Sequence, residues 1–312
     1  MKIARIEIPN TRFWTHLFQE KNIGLVDLSA SRGVVLTQRD NWVEVKGDQS
    51  QVTNFKELLY FLIHAINLGL KISLRDISRW LTFLEQGKKE VLVSLLNDPI
   101  KYSFRKATVI PMTISQKEYC CKMRDFDITF GIGPAGTGKT YLAMAHALQN
   151  LLQGNISKIM LVRPAVEAGE NLGFLPGDLT EKILPYLRPL YDALYEMLGK
   201  DETEVLFEKG ILEITPLAYM RGRTLKNSVI ILDEGQNTTH AQMLMFLTRL
   251  GENAKMIITG DLTQVDLPRG VESGLREALE KLKSISKIAR HQFDNDDVLR
   301  NPLVTEIIKA YK

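Results

Sequence analysis

The chain has 312 residues, 45% of them hydrophobic, and a formal charge of +3 from 40 Lys and Arg against 37 Asp and Glu. That length predicts two domains, one smaller, and the near balance of charge excludes a strongly basic coat while leaving room for local contacts with nucleic acid. The two cysteines, Cys120 and Cys121, are adjacent, which suits neither a mutual disulfide nor a metal quartet and predicts a reducing compartment.

The N-terminal run MKIARIEIPN has no apolar signal-peptide core. The most apolar long stretch, Leu58 to Leu74, carries His64, Asn67 and Lys71. A cytoplasmic protein without a membrane span is therefore expected. Val34 to Leu36 and Val43 to Val45 flank the polar residues Gln38 to Asn41, which predicts a hairpin. From Gln49 to Leu68, Val52, Phe55, Leu59, Leu62 and Ile66 recur at steps of three or four, and Gly69 stands where a helix would stop. A second helix is expected from Ser73 to Leu84, with Ser73 and Asp76 at capping-box spacing and Ile77, Trp80, Leu81 and Leu84 on one face. Residues 1–105 thus read as a small α+β domain. Such a unit suits an RNA-binding module of the KH kind, although no G-x-x-G loop occurs before residue 130, or a packing and oligomerisation domain. The basic patches of Gly87 to Pro111, with Lys88, Lys89, Lys101, Arg105 and Lys106, predict the junction.

From residue 113 to 312 strands alternate with helices, the pattern of an α/β domain with a mostly parallel sheet. Strands are predicted at Ile128 to Gly131, Lys158 to Val162, Ile211 to Thr215, Ser228 to Leu232 and Lys255 to Thr259. After the first of them, Gly133, Pro134, Ala135, Gly136, Thr137, Gly138, Lys139 and Thr140 spell the phosphate loop G-x-x-x-x-G-K-[ST] and run on through Tyr141 into a helix. The glycines let successive backbone N–H groups point at phosphate oxygens, and the helix adds the positive end of its dipole. Lys139 is expected to reach the β- and γ-phosphates, and Thr140 to place its hydroxyl on Mg²⁺. Upstream, Gln116 in TISQ resembles the glutamine by which many helicases read adenine, the alternative being a plain glutamine that opens a surface helix.

Further on, Val162-Arg163-Pro164 ends the second strand. Its arginine suits phosphate, nucleic acid or an ion pair with Glu167 or Glu170. After Gly177 a helix is expected, interrupted at Pro185 and Pro189, with Leu187, Leu190, Leu194 and Met197 apolar. Val229 to Asn237, VIILDEGQN, is an apolar strand ending in two carboxylates. Asp233 is expected to hold Mg²⁺ through water, and Glu234 to act as general base on the attacking water. Met243, Leu244, Phe246 and Leu247 read as packing. Thr259 to Pro268, TGDLTQVDLP, ends a third strand, where Asp261 and Gln264 could sense the γ-phosphate or orient water.

The order of these segments is similar to the ATPase core of superfamily 1 helicases. More closely, the chain resembles the PhoH family of phosphate-starvation-inducible, PhoH-like ATPases. The resemblance rests on ITFGIGPAGTGKTYLA, on Leu161 to Leu194, on IILDEGQN, on TGDLTQVDLP and on DDVLRNPLVTEIIKAY, with a looser match at Ser31-Arg32-Gly33 and Lys46-Gly47. Gly235 departs from the family's usual alanine, and the chain matches the short branch that has no preceding nuclease domain. The resemblance implies ATP and Mg²⁺ as cofactors, ATP hydrolysis in the cytoplasm and a role in RNA handling. It brings with it RNA, a ribonuclease or a ribosome-associated protein as partners.

About fifty residues follow TGDLTQ, too few for a second core to close over the nucleotide. A homo-oligomeric ring such as a hexamer, with a neighbour donating an arginine, is therefore expected. Arg269, Arg290 and Arg300 are candidates, with Arg221 and Arg223 as outsiders. The basic runs Arg221 to Arg223 and Lys281 to Arg290 suit RNA or solvated surface. An RNA remodeller, a nucleotide-dependent regulatory binding module and a small-molecule kinase all remain open. Water activation by Glu234 disfavours the last.

Overall fold

The structure, a computed structural model, describes residues 2–8, 24–39, 41–68, 70, 72, 74–98, 100–164 and 179–298, with side chains described for all of these except 75, 179–187 and 296. The chain divides into two compact units, Met1–Pro99 with Met112–Ile114, and Ile100–Pro111 with Ser115–Lys312.

In the first unit, strands β1 (Lys2–Glu7), β2 (Val35–Arg39) and β3 (Trp42–Gly47) form an antiparallel sheet in the order β1-β3-β2. The expected hairpin is β2-β3, joined by Val35↔Lys46 through Arg39↔Trp42. The first strand, KIARIE, has a weak apolar alternation and was not anticipated. Ile6, Leu36, Val43 and Val45 are buried on one face, the period-two pattern of a half-covered sheet. Helix α1 (Leu25–Ala30) precedes β2, and α2 (Gln49–Asn67) covers the sheet with Val52, Phe55, Leu59 and Leu62 buried. Each such side chain contributes on the order of 2 kcal/mol by burial. Helix α3 (Leu74–Glu85) buries Ile77, Trp80, Leu81 and Leu84; Ser73, its expected cap, lies outside the described residues. A further helix, α4 (Lys89–Asn97), occupies part of the expected junction because Leu92, Leu95 and Leu96 give it an apolar side.

The second unit begins with a short hairpin, β4 (Tyr102–Ser103) and β5 (Thr108–Val109), and helix α5 (Ile114–Asp125). Its centre is a six-stranded sheet of β6 (Ile128–Ile132), β7 (Lys158–Arg163), β8 (Leu212–Pro216), β9 (Ser228–Leu232), β10 (Ala254–Gly260) and β11 (Ile288–Gln292). The order is β11-β6-β10-β9-β7-β8, and every pairing is parallel. Strands β6 and β9 are buried at every residue, as expected when helices cover both faces. Helix α6 (Lys139–Leu152) follows β6; α7 (Leu179–Leu198) and α8 (Lys200–Glu208) lie between β7 and β8 in sequence; α9 (His240–Leu247) and α10 (Gly274–Lys281) flank β10 in sequence.

Two expectations are corrected here. Helix α7 runs through Pro185 and Pro189 without interruption. Burial of Leu190, Leu194, Met197 and Leu198, at about 2 kcal/mol each, offsets the roughly 3 kcal/mol cost of an internal proline. In α9, Met243 and Phe246 are buried but Leu244 is 54% exposed. In the basic run Lys281 to Arg290, Lys281, Lys283, Lys287 and Arg290 are exposed, and the end of the run enters β11, where Ala289 is buried. Among the described residues, no helix is long and apolar enough to cross a membrane.

Candidate active site

Because all six strands of the central sheet are parallel, their carboxyl ends share one edge, where ligands of doubly wound sheets bind. At the tip of β6 the chain turns at Gly133, with φ +146°. A Cβ there would stand 2.6 Å from the Phe293 carbonyl oxygen, so the close approach itself requires glycine. The Gly133 N–H donates to the Gly260 carbonyl at 3.0 Å, tying the loop to the tip of β10. Gly138, in the left-handed region, is the N-cap of α6 and has no side chain with which to cap it, which leaves N-terminal amides to serve an anion.

The loop is braced from inside. Thr137 is fully buried and its hydroxyl donates to the Pro134 carbonyl at 3.1 Å. The Lys139 ammonium donates to the carbonyls of Gly133 and Pro134, each at 2.7 Å. Gln116, buried in α5, donates Nε2–H to the Thr137 carbonyl at 2.9 Å. Its carboxamide therefore holds the loop backbone. The hydroxyl of Ser115 beside it lies 2.9 Å from His291 Nε2 of β11, so the last strand also supports the loop.

Opposite the loop, the Asp233 N–H donates to the Val162 carbonyl at 2.8 Å, which aligns the tips of β9 and β7. Asp233 Oδ1 accepts from the Thr140 hydroxyl at 2.6 Å and from the Thr259 hydroxyl at 2.8 Å. These are hard oxygen donors, and Mg²⁺ is ordinarily held by one or two such protein oxygens while phosphates and waters complete its shell. Thr140 and Asp233 fit that use. Among the described residues, no group of three or more His, Cys, Asp or Glu side chains could hold a metal ion.

Glu234 adopts φ +55°, an uncommon conformation for a side-chain-bearing residue and one that recurs at functional sites. It is kept there by its neighbours. Gln236, buried, donates Nε2–H to Glu234 Oε2 at 2.5 Å and to the Gln264 carbonyl at 3.1 Å, while its Oε1 accepts the Asp261 N–H at 3.0 Å. One carboxamide thus joins the acidic tip of β9 to the segment after β10. Asp261 is buried with Oδ1 bonded to the amide and hydroxyl of Thr263, whereas Oδ2 has no hydrogen-bond partner among the described residues. The Gln264 side chain is exposed at the rim.

Loop and acidic tips enclose a cleft of about 360 Å³, with Asp261 and Gln264 on one side and an apolar wall of Tyr141, Met144, Leu190 and Ala193 on the other. The Tyr141 hydroxyl donates to Glu196 at 3.0 Å. Arg163 also lines the cleft. Of the other arginines, Arg223 bonds Glu213 with both terminal nitrogens, at 2.5 and 3.0 Å. This pair holds the Glu213 carboxyl down at about 2. Arg290 donates to the carbonyls of Leu279 and Lys283. Arg221 and Arg269 are exposed, and Arg300, like Glu167 and Glu170, lies outside the described residues. Thr259 and Gln236 were not singled out from sequence, although both sit inside segments that were. A threonine closing an apolar strand and a glutamine two residues after an acidic pair were the available signals.

Proteins built on this plan are P-loop NTPases, and the fold places the chain in that class. The model of the family described as PhoH-like protein matches residues 108–312. A PhoH-like protein of Bacillus subtilis is 52% identical over 273 residues, spanning 88% of this chain and 86% of that protein. One from Synechocystis is 44% identical over 309 residues, spanning 99% and 94%. A solved Sulfolobus solfataricus SWI2/SNF2 ATPase core in complex with dsDNA aligns with 52% of this chain and 34% of its own, at a TM-score of 0.36 and 15% identity. The chain belongs to the PhoH-like family.

Proposed function

We propose that this chain is a Mg²⁺-dependent ATPase that couples hydrolysis to RNA handling as a homo-oligomer in the cytoplasm. The observation that carries the hydrolytic part is the 2.6 Å contact between the Thr140 hydroxyl of the phosphate loop and Asp233 Oδ1. It brings the two residues that would share a metal to one point, with Glu234 next in the chain. When bound, Mg²⁺ would offset charge on the β- and γ-phosphates. The loop amides and Lys139 would grip the phosphates, Thr140 and Asp233 would hold the metal, and the apolar wall would limit water. Glu234, fixed by Gln236, would take the proton of the attacking water. The RNA and oligomer parts rest on the segment order and on family membership. RNA itself, a ribonuclease or a ribosome-associated protein are the partners proposed.

The test is phosphate release from MgATP with and without single-stranded RNA, run beside a mass measurement in solution. Turnover that RNA stimulates, by an oligomer, is the expected result. Turnover indifferent to RNA would favour a nucleotide-dependent binding module acting on a partner protein, and a strict monomer with full turnover removes the ring. Absence of nucleotide affinity would dismiss the whole reading.

A further inference from the structure

Gln116 resembles an adenine-reading glutamine in sequence, yet its surroundings suit it to another task. Its side chain is 3% exposed, and it is not one of the described residues that line the cleft. The carboxamide nitrogen instead meets the loop twice. It donates to the Thr137 carbonyl at 2.9 Å, and a Cβ on Gly138 would stand 2.9 Å from it. The carboxamide is thus pressed against the peptide that joins the last two residues before Lys139. Helix α5 is itself anchored at this point, since Ser115 Oγ and His291 Nε2, both on buried residues, lie 2.9 Å apart.

In a planar trans peptide the C=O and the following N–H point in opposite directions, so drawing the Thr137 carbonyl towards α5 turns the Gly138 N–H away from α5. Gly138 lines the cleft. Among the described residues nothing accepts its N–H. Gly138 sits at φ +81°, and glycine enters both signs of φ with little steric cost. Local sterics alone would therefore let the Thr137–Gly138 peptide make a half-turn, which presents a carbonyl oxygen instead of an N–H to an anion. The bond from Gln116 opposes that half-turn.

We propose that Gln116 is a positioning residue, which locks the Thr137–Gly138 peptide with its N–H towards the phosphates and takes no part in selecting the base. The inference rests on the ATPase reading above. An N–H aimed at phosphate is a charge-assisted contact made in ground and transition states alike, so releasing it weakens every ligand with the same phosphates and changes kcat little. A glutamine that reads adenine acts on adenine nucleotides alone.

The test uses the full chain with Mg²⁺ and compares the parent with two variants. Gln116→Met keeps the length of the side chain without a donor, and Gln116→Glu keeps its shape but sets a carboxylate against the Thr137 carbonyl. Phosphate release is measured with ATP and with GTP, and calorimetry follows inorganic tripolyphosphate, which has no base. Gln116→Met is expected to raise the KM of ATP and of GTP and the Kd of tripolyphosphate by one common factor of about 10, with kcat within about 3-fold of the parent. Gln116→Glu is expected to lose more than Gln116→Met on all three ligands. Should the parent turn over GTP too slowly to measure, ATP against tripolyphosphate decides. Three results overturn the proposal: a loss confined to ATP, which marks an adenine contact; parental KM and Kd in both variants; or a lower melting temperature and less active protein at unchanged KM, which marks a packing residue. If the parent itself neither binds ATP nor releases phosphate, the ATPase reading is what has failed.

Discussion

Gln236 offers the sharpest test of how the site is held. Its carboxamide makes one bond to a charged acceptor, Glu234 at 2.5 Å, and two to neutral backbone groups, the Gln264 carbonyl at 3.1 Å and the Asp261 N–H at 3.0 Å. It is 1% exposed. A neutral bond contributes about 1 kcal/mol and one to a charged group about 1.5–3, while a buried group stripped of its partner costs about 1–3. Gln236→Ala is accordingly expected to destabilise the second unit by about 3–5 kcal/mol, or about half that if a water enters and bridges the groups. For a unit of this size each kcal/mol lowers the melting temperature by about 2–4 °C, so a drop on the order of 10 °C is expected. Because Glu234 would also lose the group that fixes its carboxylate, kcat is expected to fall at least about 10-fold beyond any loss of folded protein. Melting followed by circular dichroism, and phosphate release measured well below the transition, give the two readouts. A melting shift below about 2 °C together with parental kcat would falsify the claim that this carboxamide joins the two strand tips.

Further expectations concern the loop, the base and a buried histidine. Lys139→Ala is expected to weaken nucleotide binding at least about 10-fold by calorimetry, since a charged contact to phosphate is lost; unchanged affinity would remove Lys139 from the phosphate site. Glu234→Gln is expected to bind MgATP within about 3-fold of the parent yet lose about 100-fold or more in kcat, and normal turnover would dismiss Glu234 as base. Gly133→Ala would press its Cβ to 2.6 Å from the Phe293 carbonyl oxygen. Overpacking of that kind costs about 1–3 kcal/mol, so both melting temperature and nucleotide affinity should drop, and parental values of both would contradict the packing. His146, whose ring touches the Tyr102 hydroxyl and Asn150, is held down to about 4 by burial first and by Lys255 and Arg124 next. With the folded value below the unfolded one near 6.5, stability is full above about pH 6.5 and is lost as pH falls towards 4, by up to about 3 kcal/mol. His146→Gln should flatten that part of the stability profile in urea titrations, and an unaltered slope would assign the loss to other groups.

Where local sterics and strand polarity decide, the chain announced its plan. GPAGTGKT can be read because glycine enters the conformations at 133, 136 and 138 without the steric cost other residues bear, and IILDE because an apolar strand rarely ends in two acids by accident. The five anticipated strands of the large sheet lie within a residue or so of their expected limits. Less visible were β1 and β11, short strands in which charged residues break the apolar alternation.

Sequence alone therefore determined which segments bear the phosphate loop and the acidic pair, because glycine freedom and the burial preference of an apolar strand are properties of a few neighbouring residues. Tertiary structure decided which of them meet. By placing β10 between β6 and β9, it brings the Thr259 hydroxyl to Asp233 and Thr140; by aligning β7 with β9 it brings Arg163 to the acids; by packing α5 beneath the loop it turns Gln116 to Thr137. Strand order in a parallel sheet is set by crossovers and by the packing of helices far apart in the chain, so no local pattern of residues could have stated it.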